Sequence, residues 1–92
     1  MKYNGVFSIS YGEYCNANNI DEAPISMINK WRKDVVENYS KHSNSDLIMN
    51  LFGIPKENKK DIKCKRYVVK DEGYQLDKET KTLNVKMSLE LK

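Results

Sequence analysis

The sequence predicts an α+β fold: a single domain over residues 1–92, with an antiparallel sheet of about four strands and one long helix packed on one face. Three patterns predict it. Leu83, Val85, Met87, Leu89 and Leu91 alternate without a miss, the period of a half-buried antiparallel strand. Ile25, Ile28, Trp31, Val35 and Tyr39 recur at spacings of three and four, which draws one apolar stripe along a helix. Short strand-like runs flank that helix on both sides, giving the order β-α-α-β-β-β.

Taken in order, residues 6–11 read as a strand with Phe7, Ile9 and Tyr11 on one face and Val6, Ser8 and Ser10 on the other. Gly12 and the asparagines at 16, 18 and 19 break it and link it to the helix. Asp21 is placed to N-cap that helix, Glu22 suits its positive end, and Pro24 fits its first turn. Lys30–Asp34, Lys33–Glu37 and Glu37–Lys41 are i,i+4 pairs on its solvent side. The stretch 41–45 ends the helix and offers Ser45 as a cap for a short second helix, closed by Gly53 and Pro55. Residues 56–61 read as a charged loop and 62–70 as a strand. Asp71-Glu72-Gly73 reads as a turn, 74–76 as the next strand, and 77–81 as the turn into the last one. The last strand, being the most apolar, is expected at the centre of the sheet.

Hydrophobic content is 39% and charged content 32%, and Leu, Ile, Val and Phe number 21 of 92. That fraction lies slightly above the one-fifth or so below which chains stay disordered, so a small core is expected. The formal charge of +3 is mild, and 14 of the 16 cations are lysine. Together with ten asparagines, this is the composition that A/T-rich codons produce. Residues 1–5 lack the apolar stretch of a secretory leader, and no run approaches the 18 apolar residues of a membrane span. The expectation is a soluble cytoplasmic protein with reduced thiols and no membrane partner.

Catalysis finds little support in the residues. A cysteine nucleophile needs a base within hydrogen-bond reach, and the one histidine, His42, sits a helix length away from Cys15. Cys64 alternates with Ile62 and Val68 and reads as a small buried hydrophobe. Two lone cysteines and one histidine make no metal site, and the four scattered glycines make no phosphate loop. No cofactor, metal or enzymatic activity is expected.

Two stretches carry binding chemistry instead. Lys59, Lys60, Lys63 and Lys65 crowd before Tyr67, and strand alternation would set Lys63, Lys65 and Tyr67 on one face beside Lys86. Amines around a ring suit nucleic acid, by phosphate neutralisation and base stacking. The second stretch, residues 11–19, supplies Glu13, Tyr14, Asn16, Asn18 and Asn19, a rigid amphipathic ring among adaptable amides, which suits recognition of a protein. The leading expectation is a small non-enzymatic binding protein that occupies a surface of a larger protein or nucleoprotein. In size and composition the chain resembles the small proteins of phages and mobile elements that block host defence machinery, of the anti-CRISPR or anti-restriction type. A basic nucleic-acid-binding module, a minor subunit of a stable complex, and a homodimer paired through a strand are the alternatives.

Overall fold

The structure is a computed structural model that describes residues 2–41 and 44–92. It is α+β, with a three-stranded antiparallel sheet and several helices on one of its faces. β1 (Lys2–Ser10) leads into a short helix, α1 (Gly12–Ala17), and then the long α2 (Ile25–Lys41). α3 (Ser45–Phe52), a single 3-10 turn (Lys56–Asn58) and α4 (Lys59–Lys63) follow, and β2 (Tyr67–Asp77) and β3 (Thr82–Leu91) close the chain.

The sheet order is β1-β3-β2, so the most apolar strand is central, as its pattern requires. Leu83, Val85, Met87 and Leu89 are fully buried on the helix side. Burying each contributes about 1.5–3 kcal/mol relative to exposure, which makes this strand the main source of stability in a small core. Ile28, Val35 and Tyr39 of α2, with Ile48, Met49 and Phe52 of α3, cover it. The opposite face carries Asn4, Val6 and Ser8 of β1 and Asn84 and Lys86 of β3, and no helix of the described residues covers it.

Three expectations are corrected. The sheet has three strands rather than four, because residues 67–77 form one strand across the segment that reads as a turn. Glu72 is an extra residue in the ladder: Asp71 pairs with Met87 and Gly73 with Lys86, leaving Glu72 as a bulge. Gly73, at φ +114, takes the backbone kink, and its N–H donates to the Asp71 carboxylate at 2.7 Å. Residues 59–63 are helical, where 56–61 reads as a loop and 62–70 as a strand, since Ile62 is their one apolar residue and a single turn suffices to bury it; the strand begins only at Tyr67. Cys64 therefore falls on the surface, while Cys15 is fully buried.

The helix ends differ in detail as well. α2 begins at Ile25, and the carbonyl of Pro24, not the side chain of Asp21, receives its first N–H groups, from Met27 and Ile28. Ile25 is consequently the one member of the apolar stripe left exposed, at 60%. Asn44 rather than Ser45 caps α3, its side chain accepting from the N–H groups of Asp46 and Leu47. α3 does end at a left-handed Gly53. His42 and Ser43 lie outside the described residues.

Candidate functional site

The stretch 11–19 is not a loop. It forms α1 and its C-terminal closure, and the tyrosines are what dock it. Tyr11 is buried and stacks on Trp31 at 6.2 Å between ring centroids, and Tyr14 meets the same indole edge-on at 5.3 Å. Cys15 fills the space beside them. Positions 11, 14 and 15 thus share the inward side of one helical turn, and Glu13, Asn16 and Ala17 are left outward and exposed. Burial holds the Tyr11 phenol above its ordinary pKa, with the neighbouring Cys15 and Glu22 acting in the same direction.

The asparagines have distinct duties. Asn19 adopts φ +53, and the Ile20 N–H reaches back to the Cys15 carbonyl at 3.0 Å, which closes α1 in a left-handed cap. Asn18 donates its side-chain amide to the Tyr14 carbonyl at 2.8 Å. Both therefore stabilise the helix end while remaining exposed. The side chains of Asn16 and Glu13 meet no hydrogen-bond partner among the described residues and face solvent.

This helix sits at one end of an elongated molecule, 47 Å long and about 20 Å across. The Tyr11 N–H donates to the Lys81 carbonyl at 2.9 Å, and Lys78 pairs with Glu22 at 3.1 Å, so the β2–β3 turn is tied to α1 and to the segment that follows it. Residues 11–24 and 77–82 together carry five carboxylates and two lysines. This end is acidic in a chain whose overall charge is positive.

The six residues of the basic reading do not share a face. Tyr67 is buried, and its hydroxyl donates to the Tyr39 carbonyl at 3.3 Å, so its ring is not available for stacking. Lys86 lies on the open face of the sheet beside Val6, five residues along β3 from the partner of Tyr67 and about 17 Å from it. Lys59, Lys60, Lys63 and Lys65 do come together, but on α4 and its closing turn rather than on a strand. Lys65 takes φ +56, the Arg66 N–H returns to the Asp61 carbonyl, and the Lys65 ammonium donates to the Lys41 carbonyl at the end of α2. Lys59 pairs with Asp46 at 3.4 Å.

One cluster escaped the sequence. Arg32 of α2, Asp71 of β2 and Tyr74 meet on the flank of the sheet beside a shallow pocket lined also by Asn29, Lys33 and Val36. The available signal was that Arg32 is one of only two arginines, set in mid-helix among lysines. Its carboxylate partner could not be found while Asp71 was read as part of a turn. Among the described residues no three His, Cys, Asp or Glu side chains gather as metal ligands, and no helix is long and apolar enough to cross a membrane. Comparison of the chain with protein-family models, curated proteins and solved structures finds no match.

Proposed function

We propose that this protein is a small non-enzymatic binding protein that acts by occupying a surface of a larger macromolecule through its α1 end. The observation that supports this reading is the way α1 is mounted. Tyr11 and Tyr14 hold one side of the helix against Trp31, with Cys15 buried on the same side, and Glu13 and Asn16 project from the other with no side-chain partner among the described residues. Side chains on a rigid base lose little freedom on binding, so their hydrogen bonds convert efficiently into affinity. Exposed amides and a carboxylate recognise through hydrogen bonds and charge, and no bond-making step is assigned to them.

The charge of this end narrows the partner. Five carboxylates against two lysines complement a basic protein surface, and such complementarity raises the association rate and excludes acidic competitors. A groove that is basic because it holds nucleic acid fits this description. Steric occlusion of a host-defence nuclease by a phage-type inhibitor is the specific form of the reading.

A capture experiment tests it. Tagged protein is incubated with lysate of the cells in which it acts, with and without nuclease treatment, beside a Glu13→Arg/Asn16→Arg variant. The proposal expects a partner that survives nuclease treatment and is lost from the variant. A partner retained equally by the variant would place the interface elsewhere.

A further inference from the structure

We propose that the end of the molecule opposite α1, built on α4 and the first residues of β2, is a binding surface for the phosphate backbone of double-stranded nucleic acid. It is a different surface from the one assigned above, and it stands or falls separately.

The charge of the chain is divided between its ends. Residues 2, 37, 41, 46, 56–66, 72 and 90–92 carry nine of the sixteen cations against six of the thirteen carboxylates. Four of those carboxylates are already engaged, Asp46 with Lys59 and Asp61 with Arg66, both at 3.4 Å, Glu37 with Lys41 at 3.1 Å and Glu72 with Lys2 at 3.5 Å. Ile62 is buried and fixes how α4 lies, which leaves Lys60 and Lys63 exposed at i,i+3, neighbours on its surface. Like charges at that spacing repel one another, and a row of phosphates relieves the repulsion.

The same end says which nucleic acid. Recognition of single strands depends on exposed rings on which bases stack. Here Tyr39, Phe52 and Tyr67 are buried and Tyr3 is packed against the core. Amines with no exposed aromatic ring beside them among the described residues bind the backbone, and a duplex offers the denser row of phosphates, one charge per about 1.7 Å of its axis. An end about 20 Å across faces roughly six base pairs at about 3.4 Å each, enough for three to five phosphate contacts. Binding of this kind is independent of sequence.

Fluorescence anisotropy with a labelled 24-base-pair duplex of mixed sequence tests the proposal, with the corresponding single strand and phosphatidylserine-containing vesicles as separate arms. The wild type is expected to bind duplex at 50 mM salt, more tightly than single strand or vesicles. Affinity should fall steeply toward 200 mM, with a log–log slope of about −3 to −5. Lys60→Glu/Lys63→Glu should weaken binding at least tenfold and reduce the slope by about two, whereas Lys30→Gln, which removes an exposed lysine of α2 away from this end, should leave both unchanged. Lys60→Gln/Lys63→Gln serves if the charge reversal disturbs folding, as judged by circular dichroism. Absence of duplex binding at 50 mM salt, equal binding by the lysine variants, or preference for single strand or vesicles would each overturn the proposal.

Discussion

The Nη2 atom of Arg32 on α2 lies 3.0 and 2.9 Å from the two carboxylate oxygens of Asp71 on β2, while the guanidinium sits over the Tyr74 ring at 4.5 Å. One side chain thus clamps the long helix to an edge strand by charge and by stacking. Both partners are partly exposed, so the ion pair alone is worth about 0.5–1 kcal/mol, with a similar amount from the ring contact. Arg32→Ala should therefore lower stability by about 1–2 kcal/mol in urea denaturation. Arg32→Lys should recover less than half of that, because an ammonium keeps the charge and loses the planar stack. Full recovery by lysine would mean that charge alone matters here.

Gly5 is where β1 meets α3. A Cβ placed there would stand 2.9 Å from the Leu51 carbonyl oxygen and 3.0 Å from the Phe52 ring. Replacing a strand glycine by alanine ordinarily stabilises a protein by about 0.4–1 kcal/mol. Gly5→Ala should do the opposite and cost about 1–3 kcal/mol, since backbone cannot step aside as a flexible side chain can. A midpoint unchanged or raised would show that α3 is not seated on β1 as closely as described.

Glu72, the bulge residue, accepts a hydrogen bond from the Ser88 hydroxyl at 2.8 Å and pairs with Lys2 at 3.5 Å. The hydroxyl first, and then the ammonium, hold its carboxyl below the ordinary glutamate pKa. A group depressed by folding stabilises the native state fully above its unfolded pKa and loses that contribution as pH falls through the folded value. Melting temperature should therefore fall less between pH 7 and pH 3 in Glu72→Gln than in the wild type. Glu37, lowered by Lys41 in the same sense, is untouched by this substitution and supplies the common background. Parallel curves for the two proteins would remove Glu72 from the acid response.

The central strand and the long helix were legible because their patterns extend over many residues and tolerate no other period. Leu83–Leu91 alternates through its whole length, and Ile28, Val35 and Tyr39 repeat over three turns. What failed was short. Asp71-Glu72-Gly73 has turn composition, but a bulge uses the same residues, and only pairing with β3 distinguishes the two. Lys59–Lys63 was too brief for a helical period to emerge, which carried Cys64 to the wrong environment and Tyr67 to the wrong face. In residues 11–19, Tyr11, which alternates with Phe7 and Ile9, is buried. Tyr14, read as a recognition ring, leans on Trp31, a contact that sequence spacing could not reveal because it joins two separate helices.

That contact decides how the binding surface must be tested. Tyr14→Ala would disturb α1 and the interface together, whereas Glu13 and Asn16 are exposed and can be changed without touching the core. The direct measurement is titration calorimetry of the captured partner against wild type and Glu13→Arg/Asn16→Arg, with the melting temperature of each. The account predicts a loss of about 2 kcal/mol or more, roughly thirtyfold in affinity, with melting within about 3 °C of wild type. Unchanged affinity in a folded variant would contradict it, and would leave α1 as no more than the connection between β1 and α2.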